Sequence, residues 1–131
     1  MCVFCDIAGH RAPAMIVYED ALCMAFLDAD PITAGHTLLI PKAHYLDADD
    51  LPDELFAHLM RVSQKIIWAI KHAYKPMGYS VMHNGGMFND VGHYHLHIFP
   101  RWMDDGFAWS ASELQHEVSD AVAEKIRKEM N

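Results

Sequence analysis

The chain has 131 residues and a formal charge of -8 with its ten histidines neutral; 52% of the residues are apolar or aromatic and 21% are charged. That length suits one compact domain spanning 1–131 and is too short for two, and the composition is that of a folded chain and not of a disordered one. The negative field repels polyanions, so extended DNA or RNA is not an expected partner, while a small phosphate ester remains admissible where local donors outweigh the global charge.

No stretch approaches the roughly 18 uninterrupted apolar residues of a membrane span, so no membrane association is expected. The start, Met1 to Asp6, lacks the basic residues and apolar run of a secretory signal, which makes a cytoplasmic location the expectation. Two of the three cysteines are spaced Cys2-x-x-Cys5. In a reducing compartment that pair points to metal binding before a disulfide staple. A redox pair is disfavoured because no helix is expected to begin there, and Cys23 reads as core.

In chain order, Ala14 to Glu19 and Leu22 to Leu27 are short apolar and β-branched runs around a turn-like Glu19-Asp20-Ala21, which predicts a β-hairpin. Asp28-Ala29-Asp30-Pro31 and Ala34-Gly35 mark a loop, followed by a buried strand from His36 to Ile40 that ends at Pro41. Asp49 to Glu54 carries the acidic residues and proline of a helix start. Leu55, Leu59, Val62, Ile66, Ile67 and Ile70 then recur at three- and four-residue spacing, predicting a long amphipathic helix from Leu55 to Tyr74. Two strands follow, Tyr79 to Asn84 and Gly92 to Arg101, joined by the glycine- and asparagine-rich 85–90. Leu114, Val118, Val122 and Ile126 share one helical face, so a final helix is expected from Ser112 to Glu129. This order gives an α+β fold with a mainly antiparallel sheet.

The segment His93-Tyr94-His95-Leu96-His97 places three imidazoles on one face of a strand, about 6 to 7 Å apart, with Tyr94, Leu96 and Ile98 on the other. Packing alone does not account for three stacked histidines, since they repel one another when protonated. A neutral imidazole is a nucleophile near pH 7 that needs no separate base, and its product with phosphorus is a phosphoramidate that water can cleave. The middle residue, His95, is best placed to attack, with its neighbours donating to the phosphoryl oxygens and the leaving group.

The run Gly92 to Arg101, GHYHLHIFPR, resembles the signature of the histidine triad (HIT) superfamily, and Phe26-Leu27-Asp28-Ala29-Asp30-Pro31, Gly35-His36 and Leu39-Ile40-Pro41-Lys42 are similar to its nucleotide-pocket segment. The resemblance implies a HIT-like fold, a five-stranded mainly antiparallel sheet with one long helix and a C-terminal helix. It further implies a homodimer, with the interface on the long helix or an edge strand. The implied reaction passes a nucleoside monophosphoryl group transiently to His95. In the implied site His97 contacts the phosphate, Asp28 meets the ribose hydroxyls, Asn84 lies on the phosphate or leaving-group side, and Phe4 and Ile7 wall the base. His36, following Gly35, reads either as orienting the site by hydrogen bonding or as a satisfied structural histidine. Phe4 and Ile7 also fit plain core, and Asn84 a strand-end turn. The loop before the triad departs from the best-known branches, which carry a glutamine in a slightly longer loop; here Asn89 stands as the substitute amide.

Structural zinc takes four soft or borderline ligands. Beyond Cys2 and Cys5, the resemblance supplies His44 and His93, at positions that bind zinc in members with this cysteine pair. The expected activity is a nucleotide-binding hydrolase acting at the α-phosphate of a nucleoside phosphoramidate, an adenylylated compound or a dinucleoside polyphosphate. The alternatives are a nucleotidyltransferase or phosphorylase using the same intermediate, a nucleotide-binding scaffold protein, and a metal-handling protein. Trp102 and Asp104 to Phe107 are placed to close either the pocket or the dimer.

Overall fold

A computed structural model describes residues 1–130. Five strands form one antiparallel sheet: β1 (Ile16–Glu19), β2 (Cys23–Leu27), β3 (Thr37–Pro41), β4 (Gly78–Met82) and β5 (Leu96–Arg101), in the order β1-β2-β3-β5-β4. The helices are α1 (Val3–Ala8), α2 (Asp53–Tyr74) and α3 (Asp120–Arg127). The expected five-stranded α+β fold is therefore present. Among the described residues, no helix is long and apolar enough to cross a membrane.

Strand alternation sorts the side chains into two cores. Cys23, Ala25, Leu39, Leu96 and Ile98 face one way and pack with Leu59, Val62, Ile66 and Ile70, the apolar stripe of α2. Met24, Phe26, Leu38 and Ile40 face the other way and pack with Phe4, Ile7 and Ala8 of α1. Each fully buried aliphatic side chain here contributes about 1.5 to 3 kcal/mol relative to exposure. The long helix ends at Lys75, whose left-handed backbone (φ 48°, ψ 51°) stops it one residue before Pro76.

Three sequence expectations need correction. A helix does begin at the cysteine pair: the Cys2 thiol caps α1 by accepting from the Cys5 backbone N–H. The absence of a helix is thus no argument against redox chemistry there. The last helix is eight residues and not eighteen, because extended Ser119 (φ -148°, ψ 165°) caps it by accepting from the Val122 N–H. Leu114 and Val118 lie outside it and are exposed, so no packed face drives the earlier part into a helix. The triad strand also starts later than Gly92, its first paired residue being Leu96 opposite Leu39. His93 and His95 precede the ladder, and the Tyr94 N–H donates to the Tyr45 carbonyl instead.

Trp102 to Phe107 packs against its own chain at the end of β5. Asp105 accepts from Arg101 and from the Trp102 and Phe107 N–H groups, and Phe107 meets Phe99 edge-on, so the segment folds back to bury the end of β5.

Candidate active site

The alternation read for the triad holds even though half of it lies off the sheet. Tyr94, Leu96 and Ile98 join the core under α2, while His93, His95 and His97 face the opposite side, above α1. There a cleft of about 710 Å³ is walled by Val3, Phe4, Ile7, Phe26 and Leu38, with Asp28, Asp90, His95 and His97 as its polar liners. Its size and its apolar wall with few polar groups suit a small organic ligand. Phe4 and Ile7 are both buried core and cleft wall, and Phe4 meets the His95 ring edge-on, centroids 5.3 Å apart.

The backbone decides which nitrogen of each histidine carries the proton. A carbonyl only accepts, so the 2.8 Å contact between the His95 Nδ1 and the His93 carbonyl puts the His95 proton on Nδ1 and leaves a lone pair on Nε2. Two relays fix His97 in the opposite sense. The Ile32 N–H donates to the His36 Nδ1 at 3.0 Å, so His36 is protonated at Nε2, and that N–H donates to the His97 Nδ1 at 2.9 Å. The His97 proton therefore sits on Nε2. One ring lining the cleft offers a nucleophilic nitrogen and the next offers a donor.

Burial pushes the His97 imidazole down to about 4, and the neighbouring His95 and His36 rings add to the shift. Burial likewise lowers His36, opposed by the Asp28 carboxylate. Both are neutral near pH 7, as the relay requires. Asp28 anchors itself by accepting from the Asp30 N–H and holds Oδ2 3.5 Å from the His36 Nε2 and 3.9 Å from the His97 Nδ1. His36 is placed by Gly35, where φ is +96° and an added Cβ would stand 2.7 Å from the Tyr74 ring.

The four expected metal ligands converge. The Cys5 Sγ lies 3.3 Å from the His44 Nδ1 and 3.5 Å from the His93 Nδ1, the Cys2 Sγ lies 3.5 Å from the same His93 atom, and all four ligand atoms fall within 4.8 Å of one another. Bonds of about 2.0 to 2.3 Å to a tetrahedral ion need ligand atoms about 3.5 Å apart, so the donor set fits zinc in both chemistry and spacing. His93 meets a further requirement: its Nε2–H donates to the Pro41 carbonyl at 2.8 Å, which turns the Nδ1 lone pair to the thiols. Desolvation and the adjacent Cys2 raise the Cys5 thiol, a penalty that a bound cation reverses.

Two expected residues stand apart. Asn84 is exposed just past β4 and is not among the cleft liners, in keeping with the turn reading. The Asn89 amide organises the loop before the triad: Nδ2 donates to the Leu46 carbonyl and Oδ1 accepts from the Val91 and Gly92 N–H groups, which leaves the second Nδ2 hydrogen uncommitted among these bonds. The residue after it has no role that the sequence predicts. Asp90 places Oδ1 3.8 Å from the His95 Nε2. The only sequence signal was a carboxylate five positions before His95.

The model of the HIT domain matches residues 10–103, a stretch that contains the triad, Asp28 and His36. The chain belongs to the HIT family. It is 36% identical over 129 residues to an uncharacterized HIT-like protein of Methanocaldococcus jannaschii, covering 97% of this chain and 99% of that one. A HIT family protein from Bacillus anthracis superposes with a TM-score of 0.88 at 35% identity, over 99% of this chain and 97% of the other. Two other HIT relatives carry names of activities: an adenosine 5'-monophosphoramidase of Schizosaccharomyces pombe (34% identical, 95% of each chain) and an adenylylsulfatase of Arabidopsis thaliana (31%, 93% of this chain and 66% of that one). A zinc-bound histidine triad family protein from Mycobacterium smegmatis is 38% identical with a TM-score of 0.76, over 86% of this chain and 83% of that one.

Proposed function

We propose that this HIT protein is a nucleotide hydrolase that cleaves at the α-phosphate of a nucleoside phosphoramidate or a related adenylylated compound through a covalent intermediate on His95. The observation that carries the reading is the fixed tautomer of His95, whose only unprotonated ring nitrogen belongs to a residue lining the cleft. The base would lie against Phe4, Ile7 and Phe26, the ribose hydroxyls would meet Asp28, and the His97 Nε2–H would donate to a phosphoryl oxygen.

In the first half-reaction the His95 Nε2 lone pair forms a bond to phosphorus. The bond to the leaving nitrogen breaks, and that nitrogen takes the bonding pair and a proton from solvent. In the second half a water oxygen attacks phosphorus, the P–Nε2 bond breaks and Nε2 recovers its lone pair. Across the two halves the hydroxyl of one water goes to phosphorus and its proton replaces the one taken by the amine. The phosphoramidase name of one relative and the adenylylsulfatase name of another support hydrolysis at an adenylyl phosphorus.

Zinc belongs to this reading as a structural group held by Cys2, Cys5, His44 and His93, a set supported by its geometry and by the zinc-bound relative. It would tie α1 to the segment before β5 and leave no open position for substrate. A homodimer is also part of the proposal, with the β4 edge, where Tyr79 and Val81 are exposed, as the surface to be covered.

The test is an assay of purified protein against adenosine 5'-phosphoramidate, adenylyl sulfate and a dinucleoside polyphosphate, with and without added phosphate. Hydrolysis that disappears in His95→Ala while nucleotide binding persists is the expected outcome. Near wild-type turnover by that variant would defeat the mechanism.

A further inference from the structure

We propose that Asp90 sets the leaving-group preference of this site, favouring a neutral or cationic amine over an anionic phosphate or sulfate; the proposal rests on the hydrolase reading above. The cleft's charged liners among the described residues are two carboxylates, Asp28 and Asp90, and neither lysine nor arginine lines it. A site built for a polyphosphate chain places cations along that chain, because each further phosphate brings charge that must be neutralised. Here the donor facing phosphorus is the His97 imidazole, held neutral by burial, with no cation beside it for a second phosphate.

Asp90 is held in place. Asn89 clamps the loop on one side of it through the Leu46 carbonyl and on the other through the Val91 and Gly92 N–H groups, while the Asp47 carboxylate accepts from the Gly86 N–H farther back. The result is a carboxylate 3.8 Å from the nitrogen that would attack phosphorus, beside the space in which bonds form and break. Its side chain is 86% exposed, so water screens it in the open cleft. A bound nucleotide displaces part of that water and strengthens the field where the leaving group gathers charge. A departing amine that picks up a proton becomes an ammonium and finds in Asp90 both an acceptor and a countercharge. A departing phosphate or sulfate accumulates negative charge against it.

The experiment compares kcat/KM for two adenylyl donors in the full-length protein: the phosphoramidate of ethylenediamine, whose leaving group is cationic, and diadenosine triphosphate, whose leaving group is anionic. Wild type should prefer the amine, and Asp90→Asn should lower the preference ratio about tenfold, the scale of one partly screened charge pair. Asp90→Glu should retain most of it, and Asp90→Ser gives the same reading as Asp90→Asn from a second, shorter side chain. A ratio that both neutral variants leave within twofold of wild type, or a wild type that prefers the triphosphate, would overturn the proposal. If wild type turns over neither donor, the hydrolase reading itself has failed. If it turns over both through His95 with the ratio unmoved by Asp90, only the selectivity argument has failed.

Discussion

The Nε2–H of His36 donates to the Nδ1 of His97 across 2.9 Å, and this one bond decides that the buried His97 presents a proton and not a lone pair on its other nitrogen. His36 lines up behind His97 and is itself fixed by the Ile32 N–H, so its part in the chemistry is to position. His36→Asn should lower kcat by about 10- to 100-fold, less than the roughly 10²- to 10³-fold of deleting a transition-state donor outright. KM should move little. An equal change in KM with kcat preserved would assign His36 to substrate binding instead.

The same burial makes stability depend on pH. The folded state holds the His97 pKa at about 4, below its ordinary value of 6.5, so the unfolded chain binds more protons between those values. The contribution is fully present above 6.5 and is lost as pH falls toward 4, amounting to roughly 3 kcal/mol. Urea unfolding of wild type and His97→Gln across pH 7 to about 4 should show wild type losing more stability than the variant. Parallel pH curves would show that His97 does not carry this dependence.

Much of this site was legible because its residues sit close together in sequence or alternate on one strand. His93, His95 and His97 needed only the period of two, and Asp28 and His36 stand at the two ends of the β2–β3 loop, where the Asp28 N–H bonds the His36 carbonyl. What escaped had no periodic or compositional mark. The six-residue α1 is too short for a helical pattern and is capped by a thiol, a group absent from the usual set of capping residues. The C-terminal helix is shorter than its four-residue apolar spacing suggests because Leu114 and Val118 are exposed with no surface to pack on, and Ser119 is the stop signal inside the run. The loop contacts of Asn89 also escape the sequence, because an amide's partners are set by the fold, here Leu46, Val91 and Gly92, and the first of these is remote in sequence.

For zinc, the expectation is about one ion per chain in protein purified without a histidine tag. Cys5→Ser or chelation should lower the melting temperature by at least about 5 °C, because the metal would link three separated stretches of chain. Activity should fall less steeply than with His95→Ala. Metal-free protein that melts identically with and without added zinc would remove the metal from the account.

Association is open to a direct reading. Sedimentation equilibrium at micromolar concentration should give about twice the mass of one chain, as for a symmetric dimer. Replacing the exposed Tyr79 and Val81 of the β4 edge with lysine should shift the protein toward monomer. A wild type that sediments as a clean monomer would exclude the dimer.

The covalent step is the centre of the account, and the most direct measurement is rapid acid-free quenching of protein mixed with adenosine 5'-phosphoramidate, followed by intact-mass and peptide analysis. The account predicts one adenylyl group per chain, on His95 within the peptide that runs from Gly92 to Arg101, appearing and decaying at rates compatible with turnover and absent from His95→Ala. Full turnover with no adduct at any time, combined with undiminished turnover in the alanine variant, would contradict it.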